Sequence, residues 1–276
     1  MKNFVQIGDV KYKIPQSKLA QLQNFLDSEQ IKEYDLEREY RGLVCSVTSK
    51  VASQMRISLS KIPEAHHEVV KSLLVQQAPK DIEEALESLR EHSEGSVSVP
   101  KALIPLAEYR TSTSSGSQVG RGELAIPFMF SDAYVNEGGN ALYDVSISNV
   151  GWHVKNGNPE SGIRMGSAKT KLFSATEIYK ELIWEGAEPT DFNELNQGLL
   201  RSSLRDWSVM LCMSESELYE KMSKQAVNTS VGDAAGIVWY KDGVLTFTEK
   251  SDLSLDSTTQ FRSKLSTNGR NKILKK

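Results

Sequence analysis

The stretch Leu142-Tyr143-Asp144-Val145-Ser146-Ile147-Ser148-Asn149-Val150-Gly151-Trp152-His153-Val154-Lys155 decides how the chain is read. Two runs rich in β-branched and aromatic residues flank a short link, Asn149-Val150-Gly151. A parallel return needs a crossover of roughly a dozen residues or more, so so short a link forces antiparallel pairing. The reading predicts Tyr143–Ile147 and Trp152–Lys155 as antiparallel neighbours in a mixed sheet. On the second strand His153 and Lys155 are two apart and point to one face. Asp144 reaches them if its side chain takes the same face.

Working outward, Gly120-Arg121-Gly122-Glu123 precedes a helix expected over 122–131, with Leu124, Ala125 and Phe128 inward and Pro127 near its first turns. Downstream, a Gly/Asn-rich loop leads to Gly162-Ile163-Arg164-Met165-Gly166. A helix is expected over 175–184, where Ser174 and Glu177 have the capping-box spacing, and more helix over 191–224. The runs Gly236–Tyr240 and Val244–Thr248 flank Lys241-Asp242-Gly243. Asp-Gly between alternating apolar runs is a strong hairpin signal. From Arg262 the chain is a basic tail with no acidic residue.

The N-terminal part reads differently. Residues 4–14 alternate around Gly8-Asp9 and suggest a hairpin. Helical spacing follows, through Leu19, Leu22, Phe25 and Leu26, again over 63–77, and again after Pro79. In that last helix Ile82, Leu86 and Leu89 share one face, while Glu83, Glu84 and Glu87 form a solvated one. The Ser/Thr/Gly-rich composition near 95–118 marks a change of character. The expected organisation is α/β (α+β): an N-terminal hairpin plus helical region, 1–110, and a mixed-sheet domain, 111–276, carrying the basic tail.

Composition excludes several classes. In 276 residues, 33 Lys+Arg against 36 Asp+Glu leave a net charge of −3, so the chain does not coat nucleic acid through bulk charge. A local basic surface remains compatible with that balance. Cys45 and Cys212 sit among apolar neighbours. Two such residues exclude a disulfide framework and a Cys-rich zinc site, and both are expected to be buried, reduced thiols. No apolar run approaches the ~20 residues that span a bilayer. The first residues lack the apolar core of a signal peptide. A reducing cytoplasm, or a particle assembled in one, is the expected setting, with no membrane partner.

The polar residues gathered around the hairpin suit phosphodiester cleavage. Carboxylates such as Glu123 and Asp144 hold a hard cation like magnesium. Such a cation polarises the phosphoryl oxygen and lowers the pKa of bound water. Lys155 can position that water or meet charge growing on the phosphate. Arg121, Arg164, Lys169 and Lys171, with Lys155 and the tail, supply a local surface for DNA phosphates. Affinity carried by such a patch falls steeply with salt.

The order helix glutamate, strand aspartate, strand x-x-Lys resembles the PD-(D/E)XK nuclease superfamily. That family carries an Asp and an acid-x-Lys pair on a hairpin of a βαβ-type core, with a Glu on the preceding helix. The Gly-Glu helix start, Asp144, the Val154-Lys155 pair and the downstream Arg164-Met165-Gly166 also resemble nuclease-like proteins of tailed bacteriophages. The likeness covers about residues 120 to 185, roughly a quarter of the chain. It implies a restriction-endonuclease-like domain and a metal-dependent DNA endonuclease, phage or restriction related, in a host cytoplasm or a virion. Glu123 then matches the helix glutamate, Asp144 the central metal aspartate and Lys155 the motif lysine. His153 stands where the family usually has an acid. Imidazole suits manganese better than magnesium, or a general base. The implied metal set is Glu123, Asp144 and His153, with Mg2+, or Mn2+, as cofactor.

Three readings stay open on the sequence. One is the endonuclease. The second is a non-enzymatic virion or DNA-packaging protein on a degenerate nuclease-like scaffold, partnered by its own copies or another phage protein. The third is an unrelated interaction protein. For the third, Asp144 and Lys155 are an exposed cross-strand ion pair of little worth, and Glu123 is an acid favoured by a helix start.

Overall fold

A hairpin opens the chain, β1 (Phe4–Ile7) paired antiparallel with β2 (Val10–Lys13), as the alternation predicts. The computed structural model describes residues 4–7, 10–13, 49–111, 118–136, 142–165, 205, 208–209, 212–256 and 271–276. The helical spacing through Leu19, Leu22, Phe25 and Leu26, the helix expected over 175–184 and the first part of that over 191–224 lie outside the described residues.

Helices α1 (Ser49–Ser60), α2 (His67–Val75) and α3 (Pro79–Glu87) follow. Pro79 opens α3, where a missing N–H costs nothing because the first-turn amides have no helical acceptor. Ile82, Ala85 and Leu86 are buried, whereas Glu84 and Glu87 are exposed, as the spacing requires. Next come β3 (Ser96–Ser98) and α4 (Ile104–Glu108). A 3-10 turn, Glu123–Ala125, runs straight into the short α5 (Ile126–Met129) with Leu124, Ala125 and Phe128 buried. Then come β4 (Tyr134–Val135), β5 (Val145–Ile147), β6 (Val150–Asn156) and β7 (Ile163–Met165). Helix α6 (Glu215–Val231) precedes β8 (Gly236–Lys241), β9 (Val244–Glu249), β10 (Leu253–Leu255) and β11 (Asn271–Lys275).

Six strands form one mixed sheet in the order β3-β9-β8-β6-β5-β4. All neighbours pair antiparallel except β6 and β8, which run parallel with Trp152 opposite Gly236 and Asn156 opposite Tyr240. A parallel pair at the centre is normally covered on both faces, and β8 shows it: Ile237, Val238, Trp239 and Tyr240 are all buried. Val238 and Tyr240 pack with Trp152, Val154 and the helices α1 to α5 in one apolar cluster. Ile237 and Trp239 point the other way, into a second cluster with α6 and the three-stranded sheet β10-β11-β7. The two-residue period of a strand thus splits one run between two cores. On the first face Phe247 meets Phe130 and Trp152 edge-on, with centroids 5.7 and 5.5 Å away.

Two hairpins set the geometry. Lys241 pairs with Val244 across Asp242 (φ 49°) and Gly243 (φ 78°), the left-handed pair that Asp-Gly predicts. The β5–β6 link differs from the expected Asn149-Val150-Gly151. Ile147 pairs with Val150 across Ser148 (φ 52°) and Asn149 (φ 62°), so Val150 and Gly151 already belong to β6. Asn tolerates the left-handed region well, which lets the turn close in two residues. Gly151 is needed in the strand because a Cβ there would lie 2.3 Å from the ring of Tyr143.

Residues on both sides of 110/111 contribute to the first cluster, from Val51 on α1 to Phe247 on β9, and β3 pairs with β9. Two details differ from expectation. The last residues of the basic tail are a strand: Ile273 is fully buried between β10 and β7. Cys212 is exposed at φ 53°, in a turn before α6, where its apolar neighbours suggested burial. Helix α6 starts under a Ser214 cap that accepts the Glu217 amide at 3.1 Å, and it extends past Lys224 to Val231.

Candidate functional site

Asp144 stands one residue before β5, and its side chain does what a strand residue would otherwise do. Its Oδ2 accepts the Val154 amide at 2.8 Å, so the carboxylate extends the β5–β6 ladder by one rung. The same oxygen accepts from Lys155 Nζ at 2.6 Å, and His153 Nδ1 lies 3.6 Å away. Burial alone would raise this carboxyl. The neighbouring His153 and Lys155, the lysine through both its charge and its hydrogen bond, outweigh that and hold Asp144 well below the usual carboxylate range. Asp144 is therefore an anion at any physiological pH.

Glu123 reaches the same place from the other side. Gly122 turns the chain at φ 92°, a conformation that costs glycine nothing. Its amide donates to the Ala107 carbonyl at 2.7 Å, which ties the turn to the end of α4. A Cβ on Gly122 would lie 3.0 Å from Tyr240 Cβ and 3.1 Å from Val154 Cγ1, so the turn sits directly on β6 and β8. A Cβ on Gly120 would lie 2.7 Å from Glu123 Oε1, so glycine leaves the space that the carboxyl fills. Glu123 is 7% exposed. Burial, and then the negative charge of Asp144, push its carboxyl up to about 8, against the pull of Lys155 and a backbone hydrogen bond from Gly120. At neutral pH the isolated site holds a proton on Glu123 and none on Asp144.

The sequence-derived set of Glu123, Asp144, His153 and Lys155 is thus brought together. His153 is anchored in the set through one ring nitrogen. Its Nε2 faces the Val231 carbonyl at the end of α6, 3.2 Å away, and a carbonyl can only accept, so that nitrogen carries the proton. Nδ1 faces Asp144. Nδ1 is buried without a hydrogen-bond partner, and among the described residues no three His, Cys, Asp or Glu side chains are gathered to hold a metal. Two carboxylates, Glu123 and Asp144, still fit a magnesium ion, which commonly takes one or two protein carboxylates and completes its shell with water and phosphate oxygens. A cation there would offset the burial and the neighbouring carboxylate charge that otherwise keep Glu123 protonated.

Two of the four expected DNA contacts, Arg121 and Arg164, lie among the described residues. Arg121 lies in the turn beside the site, its Nε 3.4 Å from Glu108 Oε2. Arg164 is exposed on β7, opposite Lys272, in the three-stranded sheet and not in the sheet of the site. Lys169 and Lys171 lie outside the described residues. Two residues escaped the sequence reading: Glu108, at the end of α4, and Tyr240, whose hydroxyl donates to Glu108 Oε1 at 2.6 Å. Tyr240 sits in an apolar strand run and Glu108 after Leu106-Ala107, so nothing in their spacing marked them.

No helix among the described residues is long and apolar enough to cross a membrane. Compared with family models, curated proteins and solved structures, the chain matches none.

Proposed function

We propose that Glu123, Asp144 and Lys155 form the active site of a divalent-metal-dependent DNA endonuclease. The observation that carries this reading is a buried glutamate facing an Asp–Lys ion pair across the start of a β-hairpin. Burying a glutamate beside a second carboxylate is costly, and a solvated surface ion pair would not need Glu123 at all. The arrangement also agrees with the resemblance: an acid after a turn, an aspartate before one strand, a lysine on the next. The parallel β6 and β8, with α6 in the connection between them, agree with a βαβ-type core.

Glu123 and Asp144 would hold the cation, magnesium or manganese, which supplies Lewis-acid polarisation of the phosphate and a more acidic water. The chain's own residues do the rest. Asp144 is fixed by two donors on one oxygen, so its position costs no reordering. Lys155, locked on Asp144, presents its positive charge where charge grows as the water attacks. His153, tied to the end of α6 through Nε2, keeps its Nδ1 beside the Asp144 carboxylate.

Purified protein incubated with supercoiled, linear and single-stranded DNA, in magnesium and separately in manganese, tests the reading. Nicking that EDTA stops and Asp144→Asn removes is expected. Intact DNA in both metals would favour the non-enzymatic packaging or virion scaffold instead.

A further inference from the structure

We propose that Glu108 and Tyr240 are positioning residues that hold the Arg121 guanidinium as a clamp for a DNA phosphate beside the site. This rests on the nuclease reading above and adds the group that orients the substrate. The geometry is a relay across three elements. Tyr240, 1% exposed on the central strand β8, donates its hydroxyl to Glu108 Oε1 at 2.6 Å. That bond fixes the Glu108 carboxylate at the end of α4. The second oxygen, Oε2, faces Arg121 Nε at 3.4 Å.

The Arg121 Nε is buried while the side chain as a whole stays 37% exposed, so the exposure lies on its other atoms. Its Nε makes no hydrogen bond and faces Glu108 only as an ion pair, so the guanidinium keeps its terminal nitrogens for the two-pronged contact that phosphate oxygens accept. Its place is fixed as well. Gly120 makes room for Glu123, and Gly122 is wedged on Val154 and Tyr240. The arginine's backbone is thereby set between them. Tyr240 thus touches both ends of the device: its Cβ supports the turn and its hydroxyl sets the carboxylate that aims the arginine.

A binding cycle tests this. A short fluorescent duplex is titrated with the full chain, calcium replacing magnesium, and its anisotropy is read for wild type, Tyr240→Phe, Arg121→Ala and the double variant. Tyr240→Phe is expected to weaken binding by roughly tenfold to a hundredfold, the scale of one hydrogen bond to a charged group. It is expected to do nothing further once Arg121 is alanine, since coupled residues are not additive. Glu108→Gln, which keeps an acceptor for Tyr240 but loses the charge facing Arg121, should behave the same way, and thermal melts confirm that each variant folds. Equal weakening in both backgrounds, or none in either, overturns the proposal, as does a wild type that does not bind the duplex. A wild type that binds but does not cleave in magnesium overturns the nuclease reading alone, and the cycle still decides the clamp.

Discussion

Asp144 carries two loads, and its substitutions separate them. Its Oδ2 serves the Val154 amide and Lys155 Nζ at once. Asp144→Ala leaves a strand amide and a half-buried ammonium without their acceptor. That costs on the order of 1–3 kcal/mol, the penalty for an unmet buried donor, so the variant should lose stability as well as cleavage. Asp144→Asn keeps an acceptor oxygen. Denaturant melts should show a smaller loss for Asn than for Ala while both abolish nicking; equal stability losses would mean the ladder bond matters little. His153→Glu tests the departure from the family pattern. It removes the donor to Val231 and sets a third carboxylate beside Asp144. Its melting temperature should fall in EDTA and rise with magnesium more than the wild type's does. A magnesium shift no larger than the wild type's would argue against a cation at Asp144.

At the scale of elements, the hairpins decide where chemistry can sit. Gly122 is the critical joint between α4, the Glu123 turn and the sheet. Gly122→Ala adds a methyl against Tyr240 and Val154 and forces a side chain into the left-handed region. The expected loss is about 1–3 kcal/mol, the range for such backbone strain, seen as a lower denaturant midpoint with an unchanged slope. Much of this scale was readable from sequence. Asp242-Gly243 named its own turn, and the order Glu123, Asp144, His153, Lys155 located a shared site because strand periodicity puts alternate residues on one face. The β5–β6 turn was misread because Ser148 carries no strong turn signal, so Gly151, kept for the Tyr143 ring, drew the turn toward itself. Tyr240 and Glu108 were not readable. They lie 132 residues apart, and only the parallel pairing of β6 with β8 brings that strand under the Gly122 turn. Long-range register of this kind leaves no local pattern in the chain.

For the molecule as a whole, Glu123 ties stability to pH. Its carboxyl sits at about 8 in the fold against an ordinary value near 4.3 when unfolded. A group raised on folding contributes stability that is full below the unfolded value and is lost as pH rises through the folded one. Without a divalent cation, the melting temperature should therefore decline from pH 5 to pH 9, and Glu123→Gln should flatten that decline. A wild type and variant with parallel pH profiles would contradict the buried, protonated glutamate. The two cores on opposite faces of the six-stranded sheet keep the scaffold independent of the site, so this variant should fold. It is then the right probe of the central claim. Relaxation of supercoiled DNA in magnesium, measured side by side for wild type and Glu123→Gln, tests that claim most directly. The account predicts nicking by the wild type and a loss of about a hundredfold or more in the variant, the scale of removing an electrostatic contributor from an active site; equal nicking by both proteins, or by neither, would contradict it.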